Sequence, residues 1–507
     1  MAMVEIRGRS SSAFVKPPYS VELRRHALWL VSPGASWRYH DGADPPPETW
    51  NQPGFDDGSW PAGPAPLGYG DSLVTMVDGG PADAHPASVA FRLEFDVDDP
   101  GRFEEAILSI VADDGAEVWL NGETVLRWHL AADAGADSWA TQVVSDEFED
   151  DWQKFSLSPA TLRVGTNTLA VRVHQANPTS SDLRFDLSLL GSGGRDRPDL
   201  FGMGAEDDWI LQSAYIDRLL WRNKLAYDLF QSYGGAERWA GEQVYCELTM
   251  DGDYRGVYLL GEAPRRSEGR LDLVPNLGDA ASFIIKLDEE GGFHTSAVSY
   301  GEWQAVYPRA TEEHSAALAE VSAYLSGWET EVLANSEGQW DYLDIDSAVD
   351  WILTEELFKN NDAYFLSIYL WRDNYGKMHF IPWDFDLTLG YPYTDCSAEG
   401  FVGRATFVDA FARSPRFKDR LISRRAELRE DPLTDAAILA RIGAYEATLG
   451  PALARNFERW PVDEIVLSWG GVDNWLCPAS SWEEEHERVL AWIPARTAWL
   501  DAWINTF

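Results

Sequence analysis

Two short stretches in the second half of the chain carry the side chains best suited to chemistry. Asn361 and Asp362 lie in KNNDAYF, and Asp384 and Asp386 follow in IPWDFDLTLG. On a strand end, two aspartates spaced by two residues face the same side. Carboxylates beside Trp383 and other apolar residues are costly to bury unless a cation or hydrogen bonds satisfy them. The sequence leaves two interpretations open: a site for a hard divalent cation completed by phosphate oxygens, or strand-end aspartates that cap turns.

The segments around these residues predict a mixed α+β domain. DSAVDWILTEELFKNND has the apolar spacing of a helix that begins at an aspartate, and residues 217–234 predict a second helix that ends at a glycine. EQVYCELTMDGDYRGVYLLGEAP and the segment from FLSIYLW to DLTLG each predict a hairpin, and ASFIIKLDEE predicts a further strand. Residues 406–507 have a helical pattern throughout.

The first part of the chain has a different pattern. Residues 26–192 alternate apolar and polar residues in short runs such as FRLEFDV and NTLAVRVHQ, separated by turn residues. This pattern predicts an antiparallel β-sandwich. A glycine-rich joint, GSGGRDRPD, follows it.

Composition excludes several classes of partner. The chain of 507 residues has 41 basic and 83 acidic residues, a net charge of −42, which argues against binding to nucleic acid or to an anionic membrane. There is no run of about 18 apolar residues, so we expect no membrane span. The three cysteines form no CxxC pair, which argues against a zinc site, and three cannot all pair, so we expect that no disulfide framework holds the fold. The first residues lack the apolar stretch of a signal peptide, and we expect that an upstream signal is missing from this sequence.

Several motifs in order resemble the CotH kinase family, named after the spore-coat protein H. They are LFGMGAEDDWILQSAYIDRLLWRNKLAYDLF, DGDYRGVYLLGEAPRR, KNNDAYFLSIYLWRDNYGKMHFIPWDFDLTLG, NFERW and PARTAWLDAWI. Together they cover residues 200–507. The resemblance implies an atypical kinase fold with a helical C-terminal part. No GxGxxG precedes a strand and no HRD occurs, which excludes an ordinary protein kinase.

The N-terminal stretch RGRSSSAFVKPPYSVELR resembles an earlier segment of the same family, which a short loop usually joins to the DDWIL part. We therefore predict a sandwich inserted into that loop. Residues 1–25 would provide the first strand and phosphate loop, 26–194 the inserted sandwich, 195–405 the kinase core and 406–507 its helical part. The alternative is a separate sandwich domain with a fortuitous tail.

The inserted segment resembles the galactose-binding-like jelly rolls of secreted bacterial proteins, on the stretches WRYHDGADPPPETWNQPGFDDGSWPAGPAPLGYGD and ADDGAEVWLNGETVLRW. Exposed aromatic side chains in its loops would stack on sugar rings. For Trp37, Trp50 and Trp60 we instead expect a structural role in the core or in turns.

The resemblance to the CotH family also implies roles for individual residues. Asp362 would accept or orient the substrate hydroxyl, and Asp384 and Asp386, with Asn361, would hold Mg²⁺ or Mn²⁺. Lys16 would pair with phosphate as a second catalytic residue, although Val15 stands where the family often has proline. The remaining nucleotide-binding residues would be Arg7, Ser10, Ser11, Lys16, Glu262, Lys286 and Trp383.

Two of these assignments have competing interpretations. Lys286 competes with Lys16 for the phosphate, and its alternative role is a strand lysine paired with Asp288 or Glu289. Arg222 and Glu262 would orient these groups.

The function expected from the resemblance is an ATP-dependent and Mg²⁺- or Mn²⁺-dependent kinase for Ser/Thr hydroxyls of protein, secreted or on the cell or spore surface of a bacterium. Two alternatives remain: a pseudokinase-like adhesin that transfers nothing, and a carbohydrate-targeted binding protein that uses the sandwich. A glycosidase is the most distant alternative, because nothing in the sequence fixes the separation of its two carboxylates.

Overall fold

The fold is known from a computed structural model, which divides the chain into two compact units. They are Met1–Met3 with Leu23–Asp196, and Val4–Glu22 with Arg197–Phe507. The described residues are 2–6, 16–23, 27–41, 45–70, 73–81, 85–144, 151–235, 237–274, 282–289, 291–310, 314–360, 362–390, 396–403, 405–464, 468–469, 472–473 and 479–507.

The first unit is a β-sandwich, as the alternating pattern predicts. One sheet has the strand order β11 (Glu123–Trp128), β10 (Gly115–Leu120), β13 (Gly165–His174), β8 (Ser88–Val97), β4 (Ser36–His40) and β5 (Ala62–Pro64). The other has the order β12 (Gln153–Leu157), β9 (Glu105–Ala112), β14 (Leu183–Ser192), β6 (Leu67–Tyr69) and β7 (Thr75–Met76), and β3 (Leu28–Val31) also pairs with β14. Neighbouring strands are antiparallel, apart from the short parallel pair of β6 and β7.

The sandwich has one apolar core, to which both sheets contribute. Phe91 and Val171 of one sheet and Leu108 and Phe185 of the other are fully buried in the same cluster. This is the arrangement in which two amphipathic sheets remove their apolar faces from water.

The three tryptophans for which a structural role is predicted are buried. Trp37 lies in the main core, while Trp50 and Trp60 pack with Trp119 in a smaller cluster. Their rings are therefore not available for stacking on a sugar.

The second unit has two five-stranded sheets. The first has the order β1 (Ala2–Ile6), β2 (Tyr19–Leu23), β15 (Asp208–Gln212), β17 (Asp253–Gly261) and β16 (Gln243–Met250). The second has the order β19 (His294–Thr295), β20 (Glu302–Tyr307), β18 (Phe283–Asp288), β21 (Ile368–Arg372) and β22 (His379–Ile381). A two-stranded hairpin of β23 (Ser468–Trp469) and β24 (Val472–Asp473) is separate from both.

Pairing in the first of these sheets joins distant parts of the sequence. Strand β2, from the N-terminal stretch, pairs antiparallel with β15, with Val21 opposite Trp209. Strands β16 and β17 form the predicted hairpin, whose turn is the dipeptide Asp251–Gly252. Asp251 and Gly252 both have positive φ, as a two-residue hairpin turn requires.

The helices of the second unit, within the part of the chain that the structure describes, share one large apolar core with the second sheet. They are α1 (Arg222–Ser232), α2 (Ser315–Leu333), α3 (Gln339–Tyr342), α4 (Ile345–Phe358), α5 (Thr406–Arg413), α6 (Pro415–Glu430), α7 (Asp435–Arg459) and α8 (Trp482–Trp503). The last four make up most of the C-terminal part, as its helical pattern predicts. No described helix has the length and apolar character needed to cross a bilayer.

The bounds of two helices differ from those predicted. Helix α1 begins at Arg222 rather than at Asp217, because the Asp217 carboxylate accepts hydrogen bonds from the backbone N–H groups of Leu219 and Arg222 and holds 217–221 as a turn. Helix α4 begins earlier than predicted, since its N-cap is Asp344, whose side chain accepts the N–H of Ser347 at 2.7 Å.

The expectation that Asp384 and Asp386 alternate on a strand is wrong. Strand β22 ends at Ile381, and Pro382 follows it without an N–H for the ladder. Asp384 then has a φ of 66°, which is far from extended backbone. The two aspartates therefore lie in a loop, and their relative orientation does not follow from strand periodicity.

Candidate active site

The loop that follows β22, residues 382–390 and hereafter the acidic loop, is fixed through its backbone. The N–H of Phe385 donates to Oδ1 of Asn223 at 2.6 Å, and the N–H of Asp384 lies 3.4 Å from the hydroxyl of Tyr227. Both partners belong to α1. The Phe385 ring is fully buried and packs edge-on against Phe358 at the end of α4. The acidic loop therefore has a defined geometry, although it has no regular secondary structure.

The far end of the acidic loop is fixed as well. Leu389 donates its N–H to the carbonyl of Phe358 at 2.8 Å, and Nε of Arg222 donates to the carbonyl of Thr388 at 2.9 Å. The Thr388 hydroxyl closes a turn onto the carbonyl of Phe385.

The side chains of Asp384 and Asp386 are in contact with each other within this loop. Burial raises the pKa of Asp386 well above its usual range, and the charges of Asp384, Asp217 and Asp362 raise it further. Oδ2 of Asp384 also accepts a hydrogen bond from the Ser367 hydroxyl at 3.2 Å. Two touching carboxylates, with two more acidic groups close enough to affect Asp386, fit the charge of a divalent cation.

Asp362 joins this group from the end of α4. The helix ends at Lys359, which adopts a left-handed conformation with φ of 50°, and the chain then turns towards the acidic loop. There the side-chain amide of Asn360 donates to the carbonyl of Asp384 at 3.2 Å, and its oxygen lies 3.3 Å from the N–H of Asp362. Burial and the nearby charge of Asp384 raise the pKa of Asp362 to about 6.

Glu355, in the last turn of α4, is a buried acid that sequence reasoning missed. Burial raises its pKa well above the usual range, and the charges of Glu356 and Asp384 add to this, while a hydrogen bond from Asn360 opposes it. Its Oε2 has no hydrogen-bond partner among the residues that the structure describes. The signal in the sequence was the pair of adjacent glutamates between the apolar runs WIL and LF of this helix, since acids are rarely buried without a partner.

Lys286, on β18, lies close enough to the acidic loop to be affected by it. The net effect of its surroundings is to raise the pKa of Lys286. Burial alone would lower it, but this is outweighed by Tyr369, which lies opposite on β21, and by the carboxylates of Asp288 and Asp384. Its ammonium group forms an ion pair with Asp288, the pairing that the alternative interpretation of this lysine predicts.

Trp383 packs between two tyrosines. Its ring is stacked on Tyr227 with centroids 6.0 Å apart, and it meets Tyr369 at 5.2 Å. These contacts brace the start of the acidic loop against α1 and β21.

Lys16 has a different environment from Lys286. It is 1% exposed, donates to the carbonyl of Val257 at 2.6 Å and to Oδ1 of Asn456 at 3.1 Å, and lies over the ring of Tyr258. Burial lowers its pKa to about 7, against the opposing charges of Cys246 and Asp217. These three partners lie on β17 and α7 rather than in the acidic loop.

Glu262 lies just past the end of β17. Its Oε2 accepts the N–H of Glu242 at 3.0 Å, and its Oε1 lies 3.4 Å from Nε of Arg270. Burial raises its pKa to about 7. Its described contacts place it beside Arg270, and none is with the acidic loop.

Four predicted site residues, Arg7, Ser10, Ser11 and Asn361, lie outside the described residues. Among the residues that the structure does describe, no group of three or more His, Cys, Asp or Glu side chains has the arrangement of a metal site. Within the described ranges, Asp384 and Asp386 are therefore a pair of candidate ligands rather than part of a set of three or more.

The sequence matches a family profile described as CotH kinase protein over residues 182–500, which is more than half of the chain. The match includes α1, the acidic loop and most of α8. No match was found among curated proteins.

Among solved structures, the chain is similar to a β-glucuronidase of Bacteroides uniformis at 18% identity and a TM-score of 0.23, over 33% of this chain and 18% of the other. A family 2 glycosyl hydrolase of Bacteroides cellulosilyticus has 16% identity and a TM-score of 0.21, over 33% and 20% of the two chains. The alignments thus span about a fifth of each enzyme or less. Scores this low carry no information about the fold or the activity of this chain.

Proposed function

The chain belongs to the CotH kinase family, and we propose that it transfers the γ-phosphate of ATP to serine or threonine hydroxyls of protein substrates. The observation that carries the proposal is the convergence of Asp362, Asp384 and Asp386: the Asn360 side chain bridges the backbone of Asp362 and Asp384, and the charge of Asp384 raises the pKa of both Asp362 and Asp386. Phosphoryl transfer depends on positioned charge more than on covalent chemistry by the protein, and a cluster of this kind meets that need.

Asp384 and Asp386 are the residues that would hold Mg²⁺ or Mn²⁺. Mg²⁺ is often held by one or two carboxylates together with the phosphates of its nucleotide, so two protein carboxylates are enough. When bound, the cation supplies positive charge to the phosphates of ATP. The Ser367 hydroxyl and the α1 side chains of Asn223 and Tyr227 keep the acidic loop in place for this role.

Asp362 would accept the proton of the attacking hydroxyl. With a pKa of about 6, this carboxyl group is ionised near neutral pH and is a stronger base than an ordinary aspartate. Among the described residues, none forms a hydrogen bond with its side chain that would have to break first.

Lys286 is the better candidate for the lysine that pairs with phosphate. Its ammonium group is partly exposed, pairs with Asp288 and is affected by the charge of Asp384, whereas the Lys16 ammonium is enclosed by Val257, Asn456 and Tyr258. A lysine that is 1% exposed and already hydrogen-bonded would have to leave these partners to reach a nucleotide. Lys16 then has a structural role, as a link between the N-terminal segment, β17 and α7.

The net charge of the chain and a disulfide bond support, respectively, a class of substrate and a cellular location. A net charge of −42 favours basic or neutral protein substrates over acidic ones. Cys396 is in a disulfide bond, which supports a place outside the cytoplasm, on the cell or spore surface. Carbohydrate binding by the sandwich stays a prediction.

The experiment that tests the proposal is incubation with ATP labelled at the γ-phosphate and with Mg²⁺ or Mn²⁺, in the presence and absence of a basic protein. Mass spectrometry then identifies the modified residues. We expect phosphoserine or phosphothreonine with the wild type, and with the control Asp419→Asn, which changes an exposed aspartate of α6. Asp362→Asn should abolish the product.

Absence of phosphate on any protein, together with an unchanged melting temperature in ATP and Mn²⁺, would overturn the proposal. That outcome would favour the adhesin, which binds a partner surface without transfer.

A further inference from the structure

The last helix, α8, is connected to the acidic loop through a buried ionic network. Arg222 donates its Nε to the carbonyl of Thr388, and Nη1 of Arg488 donates to the carbonyl of Gly390 at 2.6 Å. Both guanidinium groups converge on the carboxylate of Glu485. Arg222 forms an ion pair with its Oε1, while Arg488 contacts Oε1 at 2.8 Å and Oε2 at 3.1 Å.

Asp217 completes this network. Its Oδ1 lies 2.7 Å from Nη1 of Arg222, and its Oδ2 accepts the N–H of the same residue at 2.7 Å. Arg222 and Glu485 are fully buried, and Asp217 is 1% exposed. The two arginines and two acids balance in charge, so the network is electrically neutral.

A network of this kind is costly to bury, and its net contribution to stability is small. Its effect is geometric, because each guanidinium group holds a backbone carbonyl of the acidic loop in a defined place. Glu485 holds the two guanidinium groups. Packing at Gly390 is also close: an added Cβ there would lie 2.6 Å from Nε1 of Trp492 on the same helix.

We propose that Glu485 is a positioning residue for the acidic loop, acting through Arg222 and Arg488, and that α8 is thereby part of the machinery that binds the cation and nucleotide. The proposal rests on the proposed function for its catalytic consequence. Residues that orient metal ligands from outside usually change metal affinity or activity by 10- to 100-fold when they are replaced.

The test is the variant Glu485→Gln, which keeps the shape of the side chain and removes its charge. Its matched control is Glu487→Gln, an exposed glutamate on the same helix. The first measurement is amide hydrogen exchange of the peptide that contains residues 384–390, with strand β13 as the internal reference. We expect faster exchange in the acidic loop of Glu485→Gln, unchanged exchange in β13, and wild-type behaviour of Glu487→Gln.

The second measurement is the Mn²⁺ concentration that half-saturates binding, read from a titration of intrinsic tryptophan fluorescence in the presence of ADP. We expect it to rise by about tenfold in Glu485→Gln. In the transfer reaction, the KM for the protein substrate should stay within about twofold of the wild type while kcat falls, since the network contacts backbone carbonyls of the acidic loop.

Arg488→Met provides a second variant if Glu485→Gln does not fold. It removes the contact with Gly390 and leaves the Arg222–Asp217–Glu485 contacts intact, so a smaller change in the same direction is expected. Unchanged exchange in the acidic loop of a folded Glu485→Gln or Arg488→Met would overturn the proposal. If the acidic loop exchanges faster in these variants but the wild type transfers no phosphate, the positioning role is supported and the kinase function is overturned.

Discussion

Replacement of Asp362 by asparagine should make the metal-free protein more stable at neutral pH. Burial and the charge of Asp384 raise the pKa of this carboxyl group from 3.8 to about 6 in the folded protein. At about 1.36 kcal/mol per pKa unit, ionisation of Asp362 then lowers the free energy of unfolding by about 3 kcal/mol above pH 6. The group is partly exposed, so we expect a measured gain of about 1–2 kcal/mol for Asp362→Asn at pH 7.5.

The sign of this effect depends on pH in a defined way. Between pH 3.8 and about 6 the folded state binds more protons at Asp362 than the unfolded state, so wild-type stability falls as the pH rises through this window. Asp362→Asn has no carboxyl group to titrate at this position. The difference between its free energy of unfolding and that of the wild type should therefore be small at pH 4 and largest at pH 7.5.

The assay is urea denaturation of wild type, Asp362→Asn and Asp419→Asn in EDTA at both pH values, followed by tryptophan fluorescence. The exposed control should match the wild type at each pH. A variant Asp362→Asn that is equally or less stable than the wild type at pH 7.5 would refute the electrostatic account of this site.

Three further outcomes are expected. Lys286→Met should lower kcat/KM for ATP by 100-fold or more, whereas Lys16→Met should leave the KM for ATP of the folded protein within about threefold of the wild type; the reverse order in ATP titrations of the transfer rate would return the phosphate role to Lys16. Burial lowers the pKa of Lys16 from 10.5 to about 7, so the unfolded state binds more protons at this residue between these pH values. The free energy of unfolding of the wild type should therefore rise by about 2–3 kcal/mol from pH 7 to pH 9. Denaturation of Lys16→Met at both pH values should lack this rise, and a rise of the same size in Lys16→Met would contradict the lowered pKa of Lys16. Phe385→Ala removes a fully buried ring and should destabilise the second unit by about 3–5 kcal/mol in denaturation experiments, and a loss below about 1 kcal/mol would mean that the acidic loop is not packed as described.

Local sequence signals predicted the fold class well. Alternating runs with turn residues predicted the sandwich, and helix and hairpin patterns predicted an α+β domain, because these patterns depend on residues close together in sequence. The kinase fold was implied by the resemblance to the CotH family. Predicted bounds failed where a side chain competes with the backbone pattern. The Asp217 carboxylate accepts two backbone N–H groups, so α1 begins later than predicted. Asp384 has a positive φ in a segment that tertiary contacts hold: Asn360 bonds its carbonyl, and Asn223 accepts the N–H of Phe385.

The site was predictable only in its acidic residues. Asp362, Asp384 and Asp386 share recognisable motifs, but Glu485 lies 263 residues from Arg222 in sequence, and no local pattern indicates that the two meet. The choice between Lys16 and Lys286 likewise depends on burial and on neighbours from distant strands. Sequence reasoning named both lysines and favoured Lys16, because the burial of its ammonium group among Val257, Asn456 and Tyr258 is not visible in the sequence.

The central claim is that the acidic loop supports phosphoryl transfer through a divalent cation. The most direct measurement is the initial rate of γ-phosphate transfer from ATP to a basic protein, with Mn²⁺ and with EDTA, for wild type, Asp384→Asn and the control Asp419→Asn. We expect transfer by the wild type and the control with Mn²⁺ only, and a rate at least 100-fold lower for Asp384→Asn. Transfer by Asp384→Asn at the wild-type rate, or equal wild-type rates in Mn²⁺ and EDTA, would contradict the account.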